Sequence, residues 1–159
     1  MNYLKIIEND ISNGPGLRMS LFVSGCDVHC PGCFNKSSWN FEAGLPFDDK
    51  AKENFFKKFE NRKDIYVGIS ILGGDPFAAQ NMDETFKFIN EFKERYPSKS
   101  VWVWTGHIFE DLKEIDLFAK NYHNINVLVD GPFIEEKAAP SYIELKYVGS
   151  SNQRVIRLN

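Results

Sequence analysis

The sequence predicts an α/β protein built on a mainly parallel sheet, in the form of an open, TIM-like βα barrel that stops short of closing. Three observations carry this. Runs rich in β-formers alternate with segments of helical apolar period. Glycine-rich or polar sequence recurs where each β-run ends, which is where such sheets carry their active sites. A complete eight-stranded barrel takes roughly 250 residues. This chain has 159, so a single domain over residues 1–159 holds only part of one.

Taken in order, residues 4–7 read as a short strand at a sheet edge, interrupted by the turn Asn13-Gly14-Pro15-Gly16. Two glycines around a proline permit a tight bend, here expected to bring the chain close to the cysteine loop that follows. Residues 19–23 form a buried strand, and residues 39–46 are irregular. Residues 48–61 are helical, with Ala51, Phe55, Phe56 and Phe59 on one apolar face. A β-run at 65–72 stops at Gly73-Gly74. Asn81-Met82-Asp83-Glu84 resembles a capping box for a helix through Arg95, whose stripe of Met82, Phe86, Ile89 and Phe92 is core. A strand at 101–104 ends at Thr105-Gly106. Ile108, Leu112, Ile115 and Ala119 mark one further amphipathic helix, and residues 126–129 one further strand. The unit of strand, loop and helix thus repeats about four times. In the tail, 143–148 or 154–157 is an extra strand.

Composition narrows the function. Hydrophobic residues make up 43% of the chain, enough for a real core, and the fourteen phenylalanines fall mostly in periodic segments, as packing residues do. A net charge of −3 and a pI near 5.6 lack the clustered cations of a nucleic-acid binder. No apolar stretch is long enough to span a membrane, and the N-terminus lacks the basic-then-apolar form of a signal peptide. A cytoplasmic, reducing location is expected. The three cysteines agree with it, being odd in number and too close together to staple a secreted fold.

All three lie in Gly25-Cys26-Asp27-Val28-His29-Cys30-Pro31-Gly32-Cys33, spaced C-x3-C-x2-C on a loop leaving a strand. Three thiolates so close can hold a compact soft-metal centre without help from distant segments. A 4Fe–4S cluster normally takes four thiolates, so three leave one iron open to a substrate or cofactor. Zinc with water as fourth ligand, or a Cys3His zinc site using His29, His107 or His123, fits the same residues, although His29 beside Cys30 is awkwardly placed. Three inert free thiols are the remaining reading.

The cysteine spacing resembles that of the radical S-adenosylmethionine (SAM) enzymes, and the resemblance runs well beyond it. Asn13-Gly14-Pro15-Gly16-Leu17-Arg18, followed by Phe22-Val23-Ser24-Gly25-Cys26, is similar to the opening of the activases of glycyl-radical enzymes. Gly73-Gly74-Asp75-Pro76 is similar to their SAM-binding motif. Trp104-Thr105-Gly106, Val129-Asp130-Gly131-Pro132-Phe133 and Gly149-Ser150-Ser151-Asn152-Gln153-Arg154 resemble those activases that act on anaerobic ribonucleoside-triphosphate reductase. The match covers about the whole chain, in order.

The resemblance implies a partial barrel of the radical SAM type. It implies one 4Fe–4S cluster on Cys26, Cys30 and Cys33, and SAM chelating the open iron through its amine and carboxylate. Gly73, Gly74 and Asp75 would receive the amine, and the backbone of Gly32, Cys33 and Phe34 would lie against the adenine. The family's aromatic residue before the third cysteine is here Gly32, with Phe34 following. Thr105 is a candidate for the ribose or methionyl carboxylate and Asp130 for the ribose. Their plain alternatives are a helix cap and a turn-forming carboxylate. Asn13, Arg18, Asn152 and Arg154 stand in matching segments without assigned roles, and Arg154 reads equally as a surface ion pair. The implied partners are the large subunit of the anaerobic reductase, as protein substrate, and a flavodoxin-like electron donor. The rival functions are an activase of the pyruvate formate-lyase type, which the short chain and lack of further cysteines disfavour, and a non-catalytic iron–sulfur or zinc protein.

Overall fold

The computed structural model describes residues 1–138 and 146–159. It is a mixed α/β structure on one seven-stranded sheet, ordered β3-β1-β2-β4-β5-β6-β7. The strands are β1 (Asn2–Asp10), β2 (Arg18–Val23), β3 (Leu45–Pro46), β4 (Gly68–Gly73), β5 (Ser100–Trp104), β6 (Val127–Asp130) and β7 (Arg154–Arg157). Neighbours from β2 to β6 pair in parallel, whereas β1, β3 and β7 run antiparallel at the flanks. Helix α1 (Asp49–Glu60) joins β2 to β4 by way of β3, and α2 (Met82–Arg95) joins β4 to β5. Between β5 and β6 lie α3 (Phe109–Lys113) and α4 (Asp116–Asn121). Among the described residues no helix is long and apolar enough to cross a membrane.

Strand alternation decides where the core sits. Met19, Leu21 and Val23 of β2, with Ile69, Ile71, Val101 and Val103, point to one face and bury against the phenylalanines of α1 and α2. Nine of the fourteen phenylalanines are buried. Each is worth about 1.5–3 kcal/mol relative to exposure, so they carry the helix-to-sheet packing.

Several expectations change. The first strand is nine residues long and is covered by β3, which forms inside the segment expected to be irregular. The expected single helix over 108–119 is broken in two at Glu114 and Ile115. Ile108 and Ile115, half of its apolar stripe, stay 42% and 44% exposed, while Phe118 turns inward onto Phe77 and Phe86. Tertiary packing of one aromatic ring outweighs the helical period. After β6 no full helix follows among the described residues, only a single 3-10 turn, Glu135–Lys137, so the unit repeats three times rather than four. In the tail 154–157 is the added strand. Of the alternative at 143–148, residues 143–145 lie outside the described residues and 146–147 form a turn.

The glycine–proline turn is also not where it was expected. It precedes β2, so it lies at the N-terminal ends of the parallel strands, opposite the cysteine loop. Arg18 pins it there. Fully buried, Arg18 donates through Nε to Ser70 Oγ (2.8 Å) and through its terminal nitrogens to Ser100 Oγ (3.0 Å), the Ile69 carbonyl (2.6 Å) and the Pro15 carbonyl (3.4 Å). Burial lowers its pKa to about 10, which leaves it charged at neutral pH.

Asp10 holds the other side of this turn, accepting from the amides of Ser12 and Asn13, Asn13 Nδ2 and Ser20 Oγ. Burial pushes its carboxyl up, but the hydrogen bonds from Ser20, Asn13 and the two amides outweigh it and hold the pKa below the ordinary 3.8. The unfolded chain therefore takes up this proton first as pH falls. The stabilisation is complete above pH 3.8 and is lost as pH falls through the folded value. Asp10→Asn is expected to cost about 1–2 kcal/mol at pH 7 and to flatten the acid limb of a stability profile measured by urea unfolding. An acid limb as steep as that of the wild type would contradict this.

Candidate functional site

Four loops leave the C-terminal ends of the four parallel strands and meet at one end of the sheet: the cysteine loop after β2, Gly73-Gly74-Asp75 at the end of β4, Thr105-Gly106-His107 after β5, and Asp130 to Phe133 at the end of β6. This is the face where such sheets place their chemistry.

The β2 and β4 loops are laced together through backbone. Gly74 N–H donates to the Val23 carbonyl (2.8 Å) and Asp75 N–H to the Gly25 carbonyl (2.7 Å). Both glycines of the pair are needed for this. Gly73 holds a φ of +116°, and a Cβ on Gly74 would stand 2.4 Å from the Gly25 carbonyl oxygen. Asn81 completes the seam. Instead of capping α2 with its side chain as expected, its Nδ2 donates to the carbonyls of Ser24, Gly25 and Asp75 (2.9, 3.3 and 2.9 Å).

Cys26 is buried, Cys30 and Cys33 are half-buried, and all three are free thiols. Asn35 N–H donates to Cys33 Sγ at 3.4 Å. Burial pushes the thiols of Cys26 and Cys30 up, and nearby backbone N–H groups, of His29 and Val28 at Cys26 and of Phe133 at Cys30, oppose it. His29 takes a left-handed φ of +50°, unusual for a residue with a side chain, and its ring stacks on Trp39 at 4.6 Å. A 4Fe–4S cluster fits this donor set. Three soft sulfur ligands come from one short loop, and a backbone N–H donates to one of them, Cys33, as the hydrogen bonds that tune cluster potentials do.

The other predicted residues divide. Asp75 is fully buried and accepts from Phe77 N–H (2.8 Å), Gly106 N–H (2.8 Å) and the Thr105 hydroxyl (2.8 Å). Burial raises its pKa; His107, 3.8 Å away, and the two backbone N–H donors act in the opposite direction. Thr105 is thus occupied with Asp75 and is not the cap of α3, whose N-terminal flank is Ile108. The Gly73 carbonyl accepts from Asn35 Nδ2 (3.0 Å). Phe34 is 87% exposed, with its ring edge-on to Phe133 at 6.0 Å. Gly32 backs onto Glu135. Asp130 is buried and accepts from Phe109 N–H (2.8 Å) and from Arg154 Nε (2.9 Å). Arg154 also pairs with Glu110, and the two carboxylates raise its pKa, Asp130 more than Glu110. The ion-pair reading of Arg154 is therefore the one the geometry bears out. Asn152 Nδ2 donates to the Pro132 carbonyl (2.8 Å).

Sequence reasoning missed Asn35, Asn81 and the Asp27–His107 contact. Asn81 carried a signal, since a cap-type residue two positions before an acidic turn also suits a loop contact, but two of its three partners, Ser24 and Gly25, lie more than fifty residues away in sequence.

Comparison with known proteins adds an independent finding. Residues 12–156 match the model of a family described as a 4Fe–4S single cluster domain. A protein of Pasteurella multocida (strain Pm70), named anaerobic ribonucleoside-triphosphate reductase-activating protein, is 40% identical over 99% of this chain and 98% of its own. The protein of that name from Escherichia coli (strain K12) is 40% identical over 99% of both chains. That of Enterobacteria phage T4 is 36% identical over 98% of this chain and 93% of its own.

Proposed function

The chain belongs to the family of anaerobic ribonucleoside-triphosphate reductase-activating proteins, and from that premise we propose that it activates its reductase as a radical SAM enzyme, one domain over residues 1–159, by generating a glycyl radical on the large subunit. The observation that carries the reading is the trio of free thiols on the loop that leaves β2, at the C-terminal ends of the parallel strands and next to the Gly73-Gly74-Asp75 turn. A reduced 4Fe–4S cluster held there by Cys26, Cys30 and Cys33 would supply one electron for cleavage of the S–C5′ bond of SAM, which would yield methionine and the 5′-deoxyadenosyl radical that would take a hydrogen atom from the glycine Cα.

The chain's own residues bind and position. Cys26, Cys30 and Cys33 would hold the cluster, leaving one iron for SAM. The Gly73 carbonyl is engaged by Asn35, so in this proposal the Gly74 carbonyl accepts from the amine. Asp75 and Thr105 act from beneath, holding the 73–75 turn against the end of β5. The backbone of Gly32, Cys33 and Phe34 lies along the adenine. Asp130 acts through its ion pair with Arg154, fixing the loop that brings Phe133 N–H to Cys30 and bordering the ribose. The proposed fold is an open barrel of the radical SAM type, whose unclosed side would receive the glycine loop of the reductase. The electron donor is flavodoxin-like, and a cytoplasmic, reducing setting keeps the thiols free.

The test is to mix anaerobically reconstituted protein, SAM and dithionite with the reductase large subunit, and separately with pyruvate formate-lyase. The expected result is 5′-deoxyadenosine and a glycyl-radical doublet by electron paramagnetic resonance with the reductase alone. Stoichiometric zinc with no SAM cleavage, or a doublet only with the lyase, overturns the proposal.

A further inference from the structure

The cysteine loop is irregular along its whole length, so whatever holds it decides how its three sulfurs stand. Its root is fastened by Gly25 and Asn81, and its far end by Asn35, which donates to the Gly73 carbonyl. The limb between, Asp27 to His29, lies over the end of β5. Val28 packs on Gly106, where a Cβ would come within 2.9 Å of it. Next to that contact His107 Nε2 lies 3.0 Å from Asp27 Oδ1, joining residues eighty positions apart. A carboxylate can only accept, so Nε2 carries the proton and donates.

His107 is itself firmly placed. Its N–H donates to Thr105 Oγ1 (3.2 Å), and its carbonyl accepts from Gly131 N–H (3.0 Å). Its ring also stands 3.8 Å from buried Asp75. It is thus a post carried by the ends of β5 and β6, with the cysteine limb tied to its tip. We infer that His107 is a positioning residue for the cysteine loop: by donating to Asp27 it holds the limb between Cys26 and Cys30 against the ends of β4 and β5.

Both partners are partly exposed, with 32% and 41% of their side-chain surface open to solvent, and pairs of that kind contribute little to global stability. Their effect is local. The tie limits how often the limb lifts, and through that the exposure of the flanking sulfurs and their distances from the N–H donors. The inference rests on the proposed cluster seat for its consequence, but the tie itself can be read in protein without iron.

The experiment compares wild type, His107→Ala, His107→Gln, Asp27→Ala and the double alanine variant. In iron-free protein under anaerobic conditions, brief iodoacetamide labelling is followed at each cysteine by mass spectrometry. Labelling of Cys26 and Cys30 is expected to rise about threefold in either alanine variant, and no further in the double variant, with the unfolding midpoint unchanged. His107→Gln, which sets an amide N–H near the position of Nε2, should label as the wild type does. In iron-loaded protein, His107→Ala should shift the midpoint potential of the cluster, since hydrogen bonds to the sulfurs help set it, and His107→Gln should restore it. Unchanged labelling in both alanine variants, or increases that multiply in the double variant, overturns the inference. Wild-type protein that binds no cluster would instead count against the proposed function, leaving the labelling comparison to decide on the tie.

Discussion

Replacing Cys30 with alanine is expected to abolish SAM cleavage while leaving the fold intact. Cys30 is half-buried, and neither the sheet nor the phenylalanine core depends on it. Its removal costs little packing. The chemistry, in contrast, has nothing in reserve. In the proposed site three thiolates would already leave one iron open, so a site with two could not keep a cube together in which only one iron is free for SAM. Losing a partner in the outer shell of a metal site typically costs 10–100-fold, and losing a ligand should exceed that. Iron and sulfide in the anaerobically reconstituted variant should fall to background and 5′-deoxyadenosine formation should drop by more than about 100-fold, with the thermal midpoint within a few degrees of wild type. A variant that keeps the iron–sulfur absorption and still cleaves SAM would show that the cysteine loop is not the cluster's seat.

Replacing Asp75 with alanine should damage both structure and function. Its carboxylate is the shared acceptor for Phe77 N–H, Gly106 N–H and the Thr105 hydroxyl, all within 3.0 Å and sealed from water. A buried donor left without an acceptor costs about 1–3 kcal/mol. Loss of about 3–5 kcal/mol is therefore expected, measurable by urea unfolding, because three donors are orphaned and some relaxation recovers part of the cost. Cleavage should fall as well, since the Asp75 carboxylate ties the 73–75 turn to Thr105 and Gly106 beside the proposed cluster seat. Asp75→Asn separates charge from hydrogen bonding. Burial raises the carboxyl's pKa, so the folded protein keeps a proton that the unfolded chain releases near pH 3.8. This group's contribution to stability therefore falls as pH climbs from 3.8 through the raised value and levels off above it. The asparagine variant should lack that descent, though its amide set against Gly106 N–H will lower stability throughout. An unchanged profile in Asp75→Asn would show that Asp75 is ionised in both states across that range.

Much of the fold and of the site is legible in the sequence, and the legible parts share a cause. The cysteines are neighbours in the chain, so their spacing alone writes out a possible ligand set. Met19, Leu21 and Val23, or Phe86, Ile89 and Phe92, repeat at the period of their own element and announce which face is buried. Asn81 shows the limit of such reading. A polar residue before a helix has a standard local use, and nothing nearby in sequence signals that Ser24 and Gly25 will be closer to its amide than the helix N-terminus. Arg18 shows it again, since its five acceptors belong to segments whose meeting depends on strand order.

By itself the sequence determined that the three cysteines share one loop, the α/β class and most elements, because each rests on the spacing of residues within one short stretch. Only the tertiary structure decided that Asp75 faces Thr105, that Asp130 faces Arg154 and that His107 reaches Asp27. A buried or half-buried polar group takes whatever partner lies within about 3 Å of it, and that is settled by which strand ends the parallel sheet sets side by side.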